Sequence, residues 1–567
     1  MSSKKKIVII GGVAAGPKTG SRISRICPDS EITLIEKGKF LSYAGCGLPY
    51  YISGAVQDQK ELMCTSIGVV RDPVFFHDVK NVKVLNQTQA TLVDRQAKKV
   101  CLQHVLSRET AEIPYDTLVF ATGSHPIVPP IDGIKLKNVF IVQTIEDAEG
   151  IRAILSEGKA RDVVIIGGGL IGVEITEALT ERGARVTIIE RLPQILPMLD
   201  KELAYLVAKH MESKGVKIKT QTAVKRIEGV HTVEAVITDH ERVSCDFVIV
   251  AVGVKPNTSL AKDAGLVLGT TGGIVVNDHM QTSDPNIFAV GDCVESFHRL
   301  TGKPCFIPLG STANKQGRVA ANNICGIDDV FPGVLGSTVC KVFDFSVGRT
   351  GLGEDQARQE GFDIVTLFNP APDKAHFYPG AKLIYVKLIA DRQSRRLLGL
   401  QVVGPGDVDK RIDVAATAMT AHMTVDQIAN LDLCYAPPYS PAVDNILTSA
   451  NIARNQIDGL YQSISPEKVK EKIDKGEKIV LLDVRSPQEY DEARIEGSVL
   501  IPLGQLRRRI NELSLDQEII TFCKISLRGY EAALILRSAG FCNVKVMDGG
   551  MLMWPFQVIS VKHSNKS

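Results

Sequence analysis

Two stretches of the chain repeat one pattern: an apolar strand, a glycine-rich turn, a helix, and a second strand that ends at an acid. In the first stretch, strand 7–10 runs into the turn 11–16, a helix covers 17–26, and strand 32–35 ends at Glu36. Backbone N–H groups at the start of such a helix bind a pyrophosphate, and an acid about 20 residues beyond the turn binds a ribose hydroxyl. The pattern predicts a parallel α/β sheet that binds a dinucleotide.

The second stretch matches the G-x-G-x-x-G pattern completely, whereas Val13 replaces the middle glycine of the first. Strand 162–166 leads into the turn 167–172, and strand 185–189 ends at Glu190. An acid at this position accepts a hydrogen bond from the 2′-hydroxyl of NADH and repels the 2′-phosphate of NADPH. The arginine that follows it leaves NADPH as an alternative. Two such units in one chain predict two dinucleotides, with electrons passing between them.

A lone cysteine follows the first unit. Cys46 lies between Gly45 and Gly47, and these glycines leave the sulfur open to a second molecule. The positions five residues before and after it are Leu41 and Tyr51, so it has no partner for a local disulfide. A lone sulfur stores an oxidising equivalent only as a mixed disulfide, a persulfide or a sulfenic acid. The alternative is a small buried cysteine in a glycine-rich turn.

The composition is that of an ordinary globular protein with several domains. Hydrophobic residues make up 44% and charged residues 23% of the 567 residues, and the net charge is +2. A charge so near zero argues against nucleic acid or an anionic membrane surface as a partner, and no apolar run has the length of a transmembrane helix. The 12 cysteines show neither a CxxC motif nor metal-ligand spacing, so we expect no metal site and a reducing, cytoplasmic location.

Two further strings complete the first nucleotide-binding region. Residues 115–123 form a strand that runs into a glycine turn, and residues 282–292 form another that ends at Asp292. Because they flank the second unit, they resemble the flavin contacts of the flavoprotein reductases that bind two dinucleotides. The resemblance implies that FAD occupies the first unit, that Asp292 binds its ribityl chain, and that the NAD domain is inserted into the FAD domain.

The stretch S-Y-A-G-C-G-L-P-Y at 42–50 resembles the coenzyme A disulfide reductases, in the single-cysteine branch of the FAD/NAD pyridine nucleotide-disulfide oxidoreductases. Relatives that reduce peroxide or oxygen share the lone cysteine but carry a histidine in the first glycine loop, where this chain has Val-Ala-Ala at 13–15. The resemblance therefore implies a cysteine that lies over the flavin and reacts with a coenzyme A thiol, disulfide or persulfide.

The resemblance also implies three sets of binding residues. The FAD set is Gly11, Gly12, Ala15, Gly16, Glu36, Lys37, Ser42, Ala121, Thr122, Gly123, Gly291 and Asp292. The NAD set is Gly167, Gly169, Gly172, Glu190 and Gly253. The coenzyme A set is Lys18, Arg22, Arg25, Ser42 and Lys80, and the alternative for its members on the first helix is a solvated basic face.

A third region resembles the dimerisation domain of the same family and implies a homodimer. It contains F-Y-P-G-A at 377–381 and L-C-Y-A-P-P-Y at 433–439. In the family, tyrosines of these motifs reach the active cysteine of the other subunit, and Tyr378 and Tyr435 are the candidates here. The alternative is that the two rings only pack an interface.

The last part of the chain resembles a single-domain rhodanese. A strand over 518–523 ends at Cys523, a short loop leads to Arg528, and a helix covers 529–538. The spacing C-x4-R is one residue shorter than the C-x5-R of a phosphatase loop, which favours sulfane sulfur over phosphate. The resemblance implies that Cys523 carries sulfane sulfur as a persulfide and that Arg528 stabilises the anion.

Together these patterns predict an α/β protein with two Rossmann-like domains, an α+β dimerisation domain and an α/β rhodanese domain. The predicted boundaries are 1–150 and 276–332 for the FAD domain, 151–275 for the NAD domain, 333–450 for the dimerisation domain, 451–465 for a linker and 466–567 for the rhodanese domain.

The function implied is FAD-dependent reduction of a persulfide, a polysulfide or coenzyme A persulfide by NADH, with release of hydrogen sulfide. Cys46 would be the redox nucleophile and Cys523 the sulfur carrier, with coenzyme A as substrate or bound cofactor. The first alternative is a coenzyme A disulfide reductase with an accessory rhodanese. NADH oxidase or peroxidase activity is disfavoured, and a redox-sensing or sulfur-carrying scaffold with slow flavin turnover is the non-enzyme alternative.

Overall fold

The computed structural model describes residues 4–156, 158 and 161–560. The ends of the predicted first and last domains, at 1–3 and 561–567, and residues 157, 159 and 160 of the predicted NAD domain lie outside the described residues. The chain divides into two compact units. The first comprises the residues up to Leu196 together with Glu212–Val334, and the second comprises Pro197–Met211 together with the residues from Leu335 onward.

The elements up to Val334 belong to two nucleotide-binding regions, except the helix Lys201–Ser213, most of which belongs to the second unit. The strands are β1 Lys6–Ile10, β2 Glu31–Ile35, β3 Val82–Leu85, β4 Thr88–Asp94, β5 Lys99–His104, β6 Thr110–Pro114, β7 Thr117–Phe120, β8 Ser124–Pro126, β9 Val139–Ile141, β10 Asp162–Ile166, β11 Arg185–Ile189, β12 Lys217–Lys219, β13 Val224–Glu228, β14 Ala235–Thr238, β15 Arg242–Ser244, β16 Phe247–Val250, β17 Val254–Pro256, β18 Ile287–Ala289, β19 Ser296–Phe297 and β20 Pro304–Cys305. The helices are α1 Ala15–Ile26, α2 Leu48–Ser53, α3 Pro73–Lys80, α4 Ile145–Ser156, α5 Leu170–Glu181, α6 Lys201–Ser213, α7 Ser259–Asp263 and α8 Gly310–Ile324.

The first sheet has the strand order β18-β7-β1-β2-β3, and all its pairs are parallel. Its strands are short apolar runs because a parallel sheet is covered on both faces. Residues 7–10 of β1 and all four residues of β7 are buried. The glycine turn after β1 therefore lies at the carboxyl edge of the central strand, where parallel α/β sheets bind their ligands.

The second sheet is also parallel, with the order β12-β11-β10-β16-β9. Its edge strand β9 precedes residue 150, so this sheet starts before the predicted boundary. The far boundary at 276 is also too late, because Ala261 and Leu266 pack in the core of the first sheet. Both errors have the same cause: β9 and α7 are too short to show a periodicity that would assign them to either sheet.

The elements after Val334 form two further sheets. The strands are β21 Thr338–Val342, β22 Phe345–Gly351, β23 Ile364–Pro372, β24 Leu383–Asp391, β25 Leu397–Gly404, β26 Gln462–Ile464, β27 Ile479–Asp483, β28 Val499–Leu500, β29 Glu518–Phe522 and β30 Val544–Met547. The helices are α9 Glu354–Gln359, α10 Asp409–Thr420, α11 Val425–Ile428, α12 Asn445–Ile457, α13 Pro466–Asp474, α14 Pro487–Glu492, α15 Leu503–Arg509 and α16 Leu527–Ser538.

The first of these sheets is antiparallel, in the order β21-β22-β25-β24-β23. The predicted linker at 451–465 contains regular structure, because α12 continues through residue 457 and β26 joins the next sheet beside β30. The Asp444 side chain accepts a hydrogen bond at the start of α12, and Ala450 and Ala453 are buried on its inner face. The polar residues between these alanines conceal the helical spacing.

The last sheet is parallel, in the order β26-β30-β29-β27-β28. Cys523 follows the central strand β29 directly, at the carboxyl edge of the sheet. This placement agrees with the predicted α/β domain and puts the cysteine where the loop and α16 can surround its sulfur. Among the described residues, no helix has the length and apolar character needed to cross a membrane.

A buried lysine lies where the rhodanese-type sheet contacts the antiparallel sheet. Lys387 of β24 is 1% exposed, and its Nζ lies 2.9 Å from Asp200, 3.1 Å from Glu202 and 2.8 Å from Glu354. Asp548, which follows β30, is buried; burial raises the pKa of its carboxyl group, and Ser463 and the charge of Lys387 partly oppose that rise. Because Lys387 acts on groups from both sheets, this cluster joins the rhodanese domain to the rest of its unit.

Candidate active site

The first glycine turn needs glycine for steric reasons. Gly11 has φ +116°, and a Cβ there would lie 2.0 Å from the carbonyl oxygen of Ala121. A Cβ at Gly16 would lie 1.9 Å from the carbonyl oxygen of Gly11, so α1 begins in direct contact with the turn. The backbone N–H of Gly12 donates to Glu36 Oε2 at 2.6 Å. The structure thus brings these predicted FAD residues together in one close-packed turn.

A second strand end meets this turn. Gly291 has φ +80°, and a Cβ there would lie 3.1 Å from the Ala15 side chain. Asp292 accepts a 3.0 Å hydrogen bond from Ser124 Oγ, and burial raises the pKa of its carboxyl group. Gln316, which is 1% exposed and which the sequence did not single out, accepts the Gly291 N–H at 2.8 Å. This cradle of backbone groups and one buried acid fits the ribityl and pyrophosphate parts of FAD.

The second glycine turn repeats the arrangement. Gly167 has φ +109°, and a Cβ there would lie 2.4 Å from the carbonyl oxygen of Ala251. Glu190 is 9% exposed and accepts the N–H of Gly168 at 2.7 Å. A Cβ at Gly169 would meet no atom within 4 Å, so space is open beside the N-terminus of α5. A buried acid beside this open turn fits a nicotinamide dinucleotide with a free 2′-hydroxyl.

The other predicted nucleotide residues lie around these two turns. They are Lys37 after β2, Thr122 and Gly123 after β7, Gly172 in the first turn of α5, and Gly253 before β17. A Cβ at Gly172 would lie 2.2 Å from the carbonyl oxygen of Gly167, as Gly16 does from Gly11 in the first turn. The Gly253 carbonyl accepts the N–H of Ile127 at 2.9 Å.

The sequence did not single out a titratable group on α5. Burial, aided by the charge of Glu177, raises the pKa of Glu174 to about 7. Glu174 lies in the second turn of the helix that starts at the glycine turn, on the same chain segment as the predicted NAD residues. The pattern V-E-I-T-E-A places two acids in a largely apolar helix, and this pattern could have indicated a buried acid.

Cys46 is exposed and lies in a short 3-10 turn, Gly45–Gly47, which leads into α2. A Cβ at Gly45 would meet nothing within 4 Å, which leaves access to the sulfur as the sequence predicts. A Cβ at Gly47 would lie 2.6 Å from Leu62 Cδ2, so Gly47 is required by packing instead. Ser42, at φ +48°, donates its N–H to the Gly12 carbonyl at 2.8 Å and ties this segment to the first glycine turn.

The predicted coenzyme A residues occupy α1 and α3. Lys18 is half-buried and Arg25 is exposed on α1. Arg22 Nε donates to Asn322 Oδ1 at 2.9 Å, so its side chain is held by α8 rather than free on a basic face. Lys80 Nζ lies 5.3 Å from the centre of the Phe75 ring. Their assignment to coenzyme A stays a prediction.

The predicted tyrosines belong to the second unit. Tyr378 is 38% exposed and Tyr435 is 51% exposed. Phe377 and Tyr439 of the same two motifs are 69% and 68% exposed. These exposed rings are accessible to a second subunit.

The rhodanese loop surrounds a buried sulfur. Cys523 is 0% exposed, and its sulfur interacts electrostatically with the Arg528 side chain. Glu489 accepts two hydrogen bonds from the Arg528 guanidinium, at 2.8 and 2.7 Å. The hydrogen bonds from Arg528 lower the pKa of Glu489 to about 2. Ser526, where rhodanese loops usually have glycine, adopts φ +89°.

Sequence reasoning missed the role of Glu489. Ser486 and Glu489 form a capping box at the start of α14, in which each side chain accepts a backbone N–H of the other residue. The S-x-x-E spacing predicts such a box. It does not predict the second partner, since Arg528 lies 39 residues away in the sequence.

Comparisons with known proteins agree with this geometry. The pyridine nucleotide-disulphide oxidoreductase family matches residues 5–317, its dimerisation domain matches 337–446, and the rhodanese-like domain matches 465–555. The solved structure of a NAD-dependent persulfide reductase from A. fulgidus is 45% identical, with a TM-score of 0.92 over 97% of this chain and 100% of that chain. Reduced Bacillus anthracis CoADR-RHD is 36% identical, with a TM-score of 0.93 over 97% and 98% of the two chains.

A curated relative covers the part before the rhodanese domain. The NAD(P)H coenzyme A polysulfide/persulfide reductase of Pyrococcus horikoshii is 38% identical over 455 residues, which are 80% of this chain and 99% of that protein. These matches confirm the predicted family and the predicted fold class. The chain belongs to the pyridine nucleotide-disulphide oxidoreductase family and carries a rhodanese-like domain after its dimerisation domain.

Proposed function

We propose that this protein is a homodimeric, FAD-dependent NADH:persulfide reductase that takes coenzyme A persulfide, another persulfide or polysulfide and releases hydrogen sulfide. One observation carries the proposal: a lone, exposed Cys46 beside a flavin-type glycine turn occurs in one chain with a rhodanese loop that encloses Cys523. An accessible thiol accepts a bulky sulfur substrate, and a rhodanese loop handles sulfane sulfur. The related persulfide and polysulfide reductases support the same chemistry.

Cys46 is the proposed redox nucleophile. Its thiolate attacks the inner sulfur of R–S–SH, the sulfur–sulfur bond breaks, and hydrosulfide leaves, so that Cys46 and R share a mixed disulfide. Two electrons and a proton then restore the Cys46 thiolate and release R–SH. Because a Cβ at Gly45 would meet nothing within 4 Å, the turn leaves room for the R group on this side.

Family membership supports FAD and NADH as the cofactors, and when bound they supply the electron pair for this reduction. The proposed binding residues are the two glycine turns and the acid that follows each of them. The backbone N–H groups of Gly12 and Gly168 hold the carboxylates of Glu36 and Glu190 in place, and these carboxylates are the proposed partners of the ribose hydroxyls. Glu190 supports NADH over NADPH, because its charge repels a 2′-phosphate.

Coenzyme A is the proposed thiol that carries the sulfur, and Lys18, Arg25 and Lys80 are its proposed phosphate contacts. Arg22 of α1 is a further proposed phosphate contact, and its Nε donates a hydrogen bond to Asn322. Cys523 is the proposed carrier that loads sulfane sulfur, with the charge of Arg528 acting on its sulfur and Glu489 holding Arg528 in place.

The proposal also covers assembly and cellular location. The match to a dimerisation domain and the exposed Tyr378 and Tyr435 support a homodimer in which these hydroxyl groups serve the partner's Cys46. All 12 cysteines are free thiols in the structure, which supports a reducing, cytoplasmic location.

The test is anaerobic NADH oxidation with coenzyme A persulfide or polysulfide, with sulfide release followed in parallel. The same enzyme is given coenzyme A disulfide, and every assay is repeated with Cys46→Ser, Cys523→Ser and the matched control Cys542→Ser. Cys542 is exposed in the same domain as Cys523, outside the loop, so its loss should change nothing.

We expect sulfide and oxidised NADH in equal amounts, faster turnover than with coenzyme A disulfide, and no turnover in Cys46→Ser. Loss of donor-dependent sulfide release in Cys523→Ser would place the rhodanese on the pathway. Fast turnover of coenzyme A disulfide that Cys523→Ser does not change, without comparable sulfide release, would overturn the proposal in favour of a coenzyme A disulfide reductase.

A further inference from the structure

Two cysteines outside the sites above lie side by side. Cys27 follows the last residue of α1, and Cys325 follows the last residue of α8. The two thiols act on each other electrostatically, and both side chains are partly buried against the core of the first sheet. The rhodanese and reductase chemistry uses neither sulfur.

The packing of the two helices holds this pair in place. A Cβ at Gly317 of α8 would lie 2.8 Å from the Ala15 carbonyl oxygen of α1, so the helices approach with their backbones almost in contact. Thr19 Oγ1 donates to the Gly317 carbonyl at 3.2 Å, and Arg22 is bonded to Asn322 at 2.9 Å. Residues further along α1 contact residues further along α8, so the two helices run parallel. Cys27 and Cys325 follow at the C-terminal ends of these two helices.

Two positive charges face the pair. Lys5 Nζ donates to the Ile324 carbonyl at 3.0 Å, next to Cys325, and both Lys5 and Arg22 act electrostatically on the Cys325 thiol. Positive charges at a partly exposed thiol attract anionic sulfur species such as hydropersulfide and polysulfide. The pair thus combines two neighbouring thiols, partial access and an attraction for the kind of substrate proposed above.

We propose that Cys27 and Cys325 form a redox-sensitive modification site, which sulfane sulfur converts to a disulfide that fastens α1 to α8. The identity of this oxidant rests on the proposed function, whereas the thiol pair does not. Because the two cysteines end neighbouring, closely packed helices, only a small local movement is needed to reach the S–S bond length of about 2.05 Å.

The chemistry balances without a further reactant. First, Cys27–SH and R–S–SH exchange to Cys27–S–SH and R–SH. The Cys325 thiol then attacks the inner sulfur of this persulfide, the bond to the outer sulfur breaks, and the Cys325 proton leaves with it as H2S. Two thiols lose two electrons in total, and one sulfane sulfur is reduced to sulfide. Burial, reinforced by the neighbouring Cys27, raises the pKa of Cys325 to about 12, so Cys27 is the attacking thiol and Cys325 resolves.

The disulfide would constrain α1, which carries predicted binding residues. α1 carries Lys18, Arg22 and Arg25, and it starts at the first glycine turn. A bond between the helix ends removes sliding along the seam, so the oxidised enzyme should unfold at a higher temperature than the reduced one. Excess sulfane sulfur would thereby stiffen the predicted coenzyme A and FAD region.

The test uses the Cys46→Ser holoenzyme, so that turnover cannot consume the oxidant and a failed reductase does not affect the result. Reduced protein is treated anaerobically with inorganic polysulfide, free thiols are alkylated, and the protein is digested without reduction. Mass spectrometry then searches for a peptide that joins Cys27 to Cys325. The same treatment is applied to Cys325→Ser and to the matched control Cys542→Ser.

We expect the cross-linked peptide in the Cys46→Ser protein and in the control, and its loss after dithiothreitol. Cys325→Ser should stop at a persulfide on Cys27, because the resolving thiol is missing. The thermal midpoint should rise on oxidation in the control and stay constant in Cys325→Ser. Alkylation of both thiols to the same extent as in untreated protein, with no cross-linked peptide, would overturn the proposal.

Discussion

Replacing Lys387 by methionine should destabilise the second unit strongly. Methionine keeps the length and apolar stem of the side chain but removes an ammonium group that is 1% exposed and lies within 3.1 Å of three carboxylates. The acids come from three separate segments: the loop before α6, α6 itself and α9. Without the lysine, Asp200, Glu202 and Glu354 face one another with no cation between them.

The magnitude follows from the burial of the pair. Removing one partner of a buried ion pair costs about 3–5 kcal/mol, because it leaves an uncompensated buried charge. At about 2–4 °C per kcal/mol for a unit of this size, the thermal midpoint should fall by on the order of 10 °C. The exposed pair Lys475–Glu471 provides the matched control, since its side chains are 68% and 66% exposed. Lys475→Met should change stability by less than about 1 kcal/mol.

The pH dependence sharpens this prediction. Burial alone would raise the pKa of Glu354, but Lys387, with a smaller contribution from Arg358, outweighs it and brings the pKa below the usual value. In Lys387→Met that pKa rises above the unfolded value, so the folded variant holds extra protons and loses stability as pH rises. The deficit should therefore be larger at pH 8 than at pH 5.

Calorimetry of the holoenzyme at one scan rate measures the deficit, and adding Asp200→Asn, Glu202→Gln and Glu354→Gln to Lys387→Met should recover most of it. A midpoint equal to that of Lys475→Met at both pH values would refute the reasoning.

Three further predictions concern single side chains. Glu489→Gln should lower sulfur transfer from Cys523 to cyanide by about tenfold, since Arg528 loses a charge-assisted pair, and Glu489→Asp should restore part of it. Ser526→Gly should stabilise the rhodanese domain by about 1 kcal/mol, because φ +89° strains a side chain but not glycine; an unchanged midpoint of thermal unfolding would contradict this. Glu174, with its pKa raised to about 7, stays protonated in the folded state after it ionises in the unfolded chain, so stability should fall as pH rises from about 4.5 to 7. Thermal midpoints of Glu174→Gln should lack that fall.

The nucleotide-binding cores were predictable because their chemistry is local. Gly16 needs glycine because of its contact with the Gly11 carbonyl five residues earlier, although Gly11 itself is restricted by the distant Ala121, and the strand before the turn is a buried apolar run. Such constraints appear directly in the sequence as apolar runs, glycines and a terminal acid. Even so, α1 begins at Ala15, two residues before the predicted start, because Ala15 and Gly16 serve both the turn and the helix.

Contacts between distant segments were not predictable. Lys387 and Asp200 are far apart in the chain, and an acid in a loop before a helix is an ordinary surface feature until a buried lysine reaches it. Glu489 is accounted for by its capping box with Ser486, which conceals its second role. The same reason explains Cys27 and Cys325, each of which ends a helix without any local signal of the other.

The different exposure of the two reactive cysteines restricts how sulfur can move between them. Cys46 is exposed, whereas Cys523 is 0% exposed beneath its loop. A protein cysteine cannot reach a sulfur in that position unless the loop opens, because its backbone would have to enter with it. The loop must open for any acceptor, but a thiol on a long, thin arm needs a smaller opening than a protein cysteine to take up the sulfane sulfur and present it at an accessible site. The burial of Cys523 therefore favours transfer through a small-molecule thiol over direct transfer, and the pantetheine arm of coenzyme A has that chemistry.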